Sequence, residues 1–473
     1  MVSRTAADAQ LSTRPLIGFA GAALAPQALV LALTIHLPRY YAGHIGLGLA
    51  AVGLAFTLVR LMDIGFDPLI GVVMDRTRTP FGRYRPWVIA GAPILMISSY
   101  MLFMAAPGVG EAYLVVWLLV FYAAISIVQL AQAAWAGVLA QGYNERSRIF
   151  SYIGAAGLLG SALVMLVPSF AARLVGEDDA QALHAMGWTM IALTPVLTLV
   201  AARTPETPRT ATTGKPVTLR EWVSIVWRPS MRRLVMADLA LALGPGTLTP
   251  IFIFYWRDAR GFTLPQANLM LVIFMLAGLV GAPVWGAIAQ RIGKHAGVMI
   301  TSACFAAGQL EIVSLPHRSP IVFPMMFVLG FFVAAFSFLV RAIVADVSDE
   351  VRLDHGRERS GLLFALVTST QKIGGAVSVA LTFWILAALG YNPAAGSANT
   401  AENLRGLEMV YALAPATFVM LGAACFIRFP LGAARHAEIR AALEAREQER
   451  SDEGADRLPV ASPATARVAP GSR

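Results

Sequence analysis

Cysteine and charged residues are scarce in this chain. Only two cysteines, Cys304 and Cys425, occur among 473 residues, each inside an apolar stretch, which excludes a disulfide framework and a clustered thiolate metal site. Charged residues make up 14% of the chain and apolar residues 57%. With a mean hydropathy of +0.64, a soluble fold would expose a large apolar surface, so the composition predicts an integral membrane protein.

Long apolar runs predict about twelve transmembrane helices, and therefore an all-α fold. A bilayer core of ~30 Å requires roughly 20 helical residues per span. The stretch through Arg14 lacks the pattern of a cleaved signal, so the first apolar run is expected to stay as a span. The expected spans are 16–37, 46–73, 86–106, 112–141, 149–173, 186–203, 231–256, 265–290, 297–315, 319–346, 358–390 and 406–429.

The spans fall into two groups of six. We expect a first bundle over residues 1–203, a cytoplasmic linker over 204–230, a second bundle over 231–429 and a partly disordered cytoplasmic tail over 430–473. Lys and Arg are concentrated in the loops that follow even-numbered spans, which predicts a protein of the plasma membrane with both termini in the cytoplasm. The net charge of +9 is then explained by the inner membrane face, without a nucleic-acid partner.

An internal repeat supports two related halves. The motif Pro68-x-x-Gly71-x-x-x-Asp75-Arg76 recurs as Pro283-x-x-Gly286-x-x-x-Gln290-Arg291. Tandem halves of this kind are typical of transporters that bind their substrate between the repeats.

The second predicted span carries charges that its counterpart in the other half lacks. Arg60, Asp63 and Asp67 lie within about 60° of one another on one helical face. An ionised carboxylate in hydrocarbon costs roughly 2.5–3.5 kcal/mol, so such groups usually face a partner, a cation or water. Two adjacent carboxylates relax by sharing a proton or holding a cation. A purely structural Arg60–Asp63 pair is the alternative.

Further charges lie at the expected water boundary, in the turns that follow the second and eighth spans. Charges in such turns lock neighbouring helix ends, so we expect a structural or gating role, with the two turns together forming an inner latch. The residues concerned are Asp75, Arg76, Arg83, Arg85, Arg291 and Lys294. A separate carboxylate, Asp238, lies near the start of the seventh span, after Arg232 and Arg233, and is expected to pair with a neighbouring base.

The stretch Arg-Leu-Met-Asp-x-x-x-Asp-Pro-Leu-Ile-Gly-x-x-x-Asp-Arg-Thr-Arg-Thr-x-x-Gly-Arg-x-Arg-Pro-Trp, from Arg60 onward, resembles the signature of the glycoside–pentoside–hexuronide:cation symporters. The resemblance continues through Tyr143-Asn-Glu-Arg-Ser-Arg, Ala345-Asp-Val-Ser-Asp and Lys372. It implies the major facilitator fold of two six-helix bundles. It also implies symport of a small solute with Na⁺ or H⁺ by alternating access, with no enzyme activity and no resident cofactor.

The resemblance also implies roles for particular residues. Asp63 and Asp67 match the carboxylates that bind the coupling cation, and Ser126 matches a hydroxyl ligand. Phe66 replaces an asparagine of the family pattern, which leaves both Na⁺ and H⁺ open. Lys372 matches a lysine that lies between cation and sugar.

The solute contacts implied by the resemblance differ in chemistry from the family pattern. Gln27 and Gln129 stand where sugar-binding carboxylates occur, and an uncharged amide donates as well as accepts hydrogen bonds. The pocket is therefore expected to be less acidic, which suits an anionic glycoside or an amphipathic solute as well as a neutral sugar. The remaining candidates for solute binding, beside Lys372, are Trp135, Ser337, Phe338 and Thr368.

Two other functions stay open at this point. Related folds move lysophospholipids, so a cation-coupled lipid carrier would share the same acidic pair. A membrane-embedded prenyltransferase would use Asp63-x-x-x-Asp67 to hold Mg²⁺-diphosphate and would need a second acidic cluster, for which Asp346, Asp349 and Asp354 are candidates.

Overall fold

A computed structural model describes residues 12–139, 143–175, 179–206, 226–355, 360–393 and 399–456. Within these ranges twelve helices are long and apolar enough to cross a membrane, and no β-strand occurs. The predicted all-α membrane fold is thereby confirmed. Residues 207–225 of the predicted linker and the tail beyond residue 456 lie outside the described ranges.

The first half contains six spans. The first span is built from two helices and a π-helical turn, and the others are single helices. Their bounds are Thr13–Gly21, Leu24–Arg39 and Tyr40–Ile45 for the first span, then Leu49–Arg76, Arg85–Phe103, Glu111–Leu139, Tyr143–Val175 and Asp179–Ala201.

The second half repeats the arrangement. Its first helix continues into a π-helical turn, like the first span of the chain. The bounds are Pro229–Phe254 with Tyr255–Ala259, then Leu264–Ile292, Lys294–Ser314, Val322–His355, Ser360–Ala388 and Ala401–Ala424. A further charged helix, Ala433–Asp456, follows the last span.

Several span boundaries differ from those expected, and two of them extend into polar sequence. The sixth span begins at Asp179 rather than at 186, and the tenth continues to His355 rather than ending at 346. Both extensions are more polar than the apolar runs from which the spans were predicted. A helix continues beyond the hydrocarbon wherever its backbone hydrogen bonds remain internal, so apolar length underestimates helix length at these ends.

The second and eleventh spans bring the two halves together near the centre. Thr57 of the second span donates a hydrogen bond of 2.8 Å to the backbone oxygen of Ala376. One turn away, Gly53 lies so close to Phe383 that a Cβ atom would come within 3.0 Å of its side chain. This close packing places Lys372 of the eleventh span opposite the charged face of the second span.

A charged cluster joins the halves at the face that carries the loops after odd-numbered spans, called here the outer face. Arg39 donates hydrogen bonds of 2.8 and 2.9 Å to Asp258, and Tyr391 donates to the same carboxylate. Asp179 accepts from Arg39 at 3.3 Å and pairs with Arg257. Burial, together with the Asp258 charge, raises the pKa of Tyr391, so its hydroxyl remains a donor at neutral pH. We call these five residues the outer cluster.

The opposite face, called the inner face, shows a different pattern. Lys294 pairs with Asp346 at 2.6 Å, and Arg228 pairs with Asp354 at 2.7 Å, so both pairs lie within the second half. Between described side chains, ion pairs join the two halves at the centre and in the outer cluster. The structure therefore corresponds to a state closed at the outer face.

We expect Asp258→Asn to loosen this closure. Hydrogen bonds to charged groups contribute about 1.5–3 kcal/mol, so losing the Arg39–Asp258 pair should raise the population open at the outer face about 10-fold or more. Leu31 of the first span lines a cavity with residues of the second half such as Leu248, so a cysteine at this position reports access from the outer face. The measurement is its alkylation rate by a membrane-impermeant maleimide in a Cys304→Ala/Cys425→Ala background.

The matched control is Glu311→Gln. Glu311 is an exposed carboxylate near the outer end of the ninth span, and it lies outside the outer cluster. Its labelling rate should equal that of the parent. Equal rates in Asp258→Asn and the parent would contradict a closing role for the cluster.

Candidate functional site

The centre of the molecule holds a lysine between two carboxylates. Lys372 donates to Asp63 at 3.2 Å and also contacts Asp67. The Asp63 side chain is 2% exposed, whereas about a quarter of the Lys372 and Asp67 side chains remains accessible. The second and eleventh spans supply these residues, so the cluster bridges the two halves.

Further groups hold Asp63 in place. Ser126 of the fourth span donates a hydrogen bond of 2.8 Å to Asp63 Oδ1, while Arg60 lies 3.7 Å from Asp63 Oδ2. The Arg60 guanidinium also stacks over the Tyr122 ring at 4.7 Å, a favourable cation–π arrangement. Asp63, Asp67 and Ser126 are thus brought together as the sequence predicts.

The charges of this cluster cancel, because Arg60 and Lys372 balance Asp63 and Asp67. One acceptor remains unused, since Asp67 Oδ1 is buried without a hydrogen-bond partner. A buried oxygen without a partner is costly in a low-dielectric environment. Together with the Ser126 hydroxyl and the Asp63 carboxylate, it supplies the oxygen ligands that a small monovalent cation or a proton requires.

A second buried carboxylate lies in the other half. Asp238 was expected to pair with a neighbouring base, but it accepts hydrogen bonds from Thr370 and, at 3.3 Å, from Gln371. The expected pairing is wrong because the Asp238 side chain faces the eleventh span. It does not point toward the start of its own helix, where Arg232 and Arg233 lie. Asp238 and Gln371 line a cavity of about 210 Å³ together with Val333 and Phe336.

The predicted solute-binding residues of the first half are spread apart. Gln27 is exposed and lies against the fifth span, where a Cβ on Gly157 would come within 2.8 Å of it. Gln129 is half-buried. Trp135 is fully buried, with its ring 5.0 Å from Phe19 in an edge-on contact. Trp135 therefore does not reach a cavity in this state, and it packs as a core residue.

The predicted solute-binding residues of the second half also lie in different environments. Thr368 is exposed one turn before Lys372, on the same helical face. Phe338 is exposed but leans against the eighth span, where a Cβ on Gly286 would lie 3.1 Å from its ring. The Ser337 side chain lies outside the described residues.

Among the gating residues whose side chains the structure describes, none forms a latch between the halves in this state. The backbone N–H groups of Arg83 and Arg85 donate to Glu206 within the first half, whereas Lys294 pairs with Asp346 within the second. Arg76 and Arg291 are exposed, and the Asp75 side chain lies outside the described residues.

The second acidic cluster that a prenyltransferase needs is already paired with bases. Asp346 binds Lys294, Asp349 contacts His436 at 3.1 Å, and Asp354 binds Arg228. These carboxylates tie helix ends together at the inner face and do not converge on the Asp63 site.

Two groups of residues in the structure were not predicted from the sequence. Thr370 and Gln371 were overlooked because polar uncharged residues in an apolar run carry no signal of their own. The outer cluster was overlooked because Arg39 and Asp258 are 219 residues apart in the chain. The available signal was that the first and seventh spans each carry a charged residue near the outer end.

Comparisons with known proteins agree with this architecture. The profile of the family described as MFS/sugar transport protein matches residues 18–433. The chain is 23% identical over 451 residues to the glucuronide carrier protein homolog of Escherichia coli strain K12, covering 93% of this chain and 97% of that protein. It is 22% identical to the sodium-dependent lysophosphatidylcholine symporter 1 of Xenopus tropicalis, covering 85% and 84%.

Among solved structures, a bacterial homolog of the human lysosomal transporter Spinster matches with a TM-score of 0.63 and 14% identity, over 92% of this chain and 99% of the other. This likeness shows the fold. These relatives and neighbours are transporters, and no enzyme function is needed to explain the site. The chain belongs to the MFS/sugar transport protein family and, within it, to the glycoside–pentoside–hexuronide:cation symporters that its motifs resemble.

Proposed function

We propose that this protein is a secondary transporter that moves a glycoside, uronide or related solute together with Na⁺ or H⁺. The observation that supports this most strongly is the Lys372 ammonium held by Asp63 and Asp67 beside a buried, unpartnered carboxylate oxygen. This oxygen is available to a further ligand besides the lysine. The coupling ion and the lysine are therefore expected to compete for the same oxygens.

In this mechanism the cation binds at Asp63 and Asp67, with Ser126 as a third ligand. Its arrival neutralises the carboxylates and frees Lys372, which then orients the solute. The empty cluster is neutral, whereas a site with only the cation carries an uncompensated charge. Because such a charge is costly at membrane depth, rocking of the halves is favoured for the empty site and for the fully loaded site, in which polar groups of the solute solvate the freed lysine.

The charges of the loops support a placement and an orientation in the membrane. We place the protein in the cytoplasmic membrane with both termini inside, because the basic loops after even-numbered spans are retained there. The outer cluster then faces the exterior. A state closed at the outer face would then release solute and cation to the cytoplasm.

A lipid carrier is the second candidate, and one feature of the second span favours it. Leu61, Met62 and Phe66 are exposed beside the cation site. A lateral apolar opening at this level would admit an acyl chain. The likeness to lysophosphatidylcholine symporters is compatible with the same arrangement.

Asp63→Asn and Asp67→Asn should each abolish cation-driven accumulation, because an amide cannot balance the cation charge. Uptake into proteoliposomes would then fall to the level of passive equilibration. The control is Asp354→Asn, which removes an exposed acid at the inner face and should leave accumulation unchanged. Full gradient dependence in both central variants would refute the cation site.

Thermal-shift measurements should identify the cargo and the ion together. We expect one class among sugars, uronides and lysolipids to stabilise the purified protein, and to do so more strongly with its coupling ion, since each ligand lowers the cost of binding the other. Stabilisation that is additive in Na⁺ and unchanged between pH 6 and pH 8 would contradict coupling at this site.

A further inference from the structure

Gln309 of the ninth span is a buried amide whose orientation is fixed by a proline in the twelfth span. Its Nε2 atom donates a hydrogen bond of 2.8 Å to the backbone oxygen of Tyr411. Within its own helix that oxygen would bond the N–H four residues later, but this position is Pro415, which has no N–H. The Gln309 amide therefore supplies a donor that the twelfth span lacks.

The carbonyl oxygen of the same amide is left without a use. Gln309 Oε1 is buried and has no hydrogen-bond partner in the described part of the chain. Turning the amide over would set its oxygen against the Tyr411 oxygen, so that two acceptors would face each other. Because a buried acceptor without a partner is costly, Oε1 is an open position for a hydrogen-bond donor.

Gln309 lines a cavity of about 150 Å³ that lies between the two halves and is mostly apolar. The first half contributes Leu31 and Ile35, and the second half contributes apolar side chains such as Leu248 and Phe252. We call this the seam cavity. It brings an apolar volume and one unused acceptor into the same place.

The two other polar side chains that line the seam cavity are already bonded. Thr249 donates to the backbone oxygen of Pro245 at 3.2 Å, and the Tyr411 hydroxyl accepts from Trp256 at 3.1 Å. A buried water typically has about three polar partners, which suits a more polar site than this one. An apolar cavity of about 150 Å³ holds one benzene ring. The seam cavity and Gln309 together fit a small ring that carries an O–H donor.

The seam cavity exists only while the outer face is closed. Ile35 lies in the outer half of the first span, which also carries Arg39 of the outer cluster. Phe252 lies in the outer half of the seventh span, which continues to Asp258. Opening of the outer face separates these two spans and splits the cavity. A molecule in the cavity therefore stabilises the closed state, because a ligand shifts the population toward the state that binds it.

We propose that the seam cavity binds a small phenol-like molecule, an apolar ring whose O–H donates to Gln309 Oε1, and that this binding holds the outer face closed. The site lies outside the Asp63–Lys372 cluster and requires neither cation nor cargo. Its occupant is an inhibitor, because it must leave before the outer face can open. Inhibition of uptake rests on the proposed function, whereas binding and closure do not.

Binding is tested by fluorine NMR titration of the purified full-length protein, with empty detergent micelles as the blank. The probes are para-fluorophenol and para-difluorobenzene, which have nearly the same outline but differ in the O–H donor. Gln309→Leu removes the acceptor, so the affinity for para-fluorophenol relative to para-difluorobenzene should fall about 5-fold or more. An unchanged ratio, or no binding of either probe to the wild type, would overturn the inference.

A second variant keeps the bond between Gln309 and Tyr411 and fills the cavity instead. Leu248→Phe adds volume inside the lining, so it should lose both probes. The matched control is Leu310→Phe, the same substitution at an exposed side chain of the ninth span that does not line the cavity. It should bind both probes as the wild type does. Wild-type affinity in Leu248→Phe would overturn the assignment of the site.

Closure is measured on Ile253→Cys in the Cys304→Ala/Cys425→Ala background, as the rate of alkylation by a membrane-impermeant maleimide. Ile253 is buried and lines a separate cavity of about 420 Å³ beside the outer cluster. A ligand that binds only the closed state should slow the alkylation about 10-fold when present at about ten times its Kd. Adding Leu248→Phe should abolish this slowing. An equal rate with and without para-fluorophenol would overturn the closing role.

These readouts are independent of uptake. Asp63→Asn should bind para-fluorophenol as the wild type does, whether or not it has lost cation-driven accumulation. Failure of the Asp63→Asn uptake prediction would therefore leave the seam cavity standing as a site. Failure of the titration would leave the proposed transport function standing.

Discussion

Charge neutrality at the centre of a membrane protein is the constraint on which the rest of this structure depends. Asp63 and Asp67 are tolerated there because Lys372 crosses from the other half to bind them. The same contact makes the two halves interdependent, because any partner that takes those oxygens must release the lysine. In the proposed mechanism, a binding event is in this way converted into a change in the contact between the halves.

The outer cluster supplies the opposing element. Arg39 and Asp258 fasten the halves at the outer face, while at the inner face the described ion pairs stay within one half. An alternating-access transporter needs contacts that exist in one state and not in the other. The ion pairs of the outer cluster, which have no described counterpart between the halves at the inner face, are candidates for such contacts.

The sequence was sufficient for much of the fold and for placing the two central carboxylates on one helical face. Twelve apolar runs translate directly into spans, and acids four residues apart in such a run must share one helical face. Trp135 could not be placed in the same way, because an aromatic residue in an apolar helix does not reveal whether it faces the core or a cavity. Asp238 was assigned a wrong partner because Thr370 is 132 residues away. Long-range pairs of this kind depend on how helices pack, which periodicity does not encode.

The central claim is that the coupling ion and Lys372 compete for the same carboxylates. The most direct measurement is an electron-cryomicroscopy structure with saturating cation and cargo, at a resolution that places the lysine ammonium. The account predicts that the Lys372 ammonium has left Asp67 and lies toward the cargo, with Asp63 and Asp67 bound to the cation or to a proton. A lysine that still bridges both carboxylates in the fully loaded protein would contradict it.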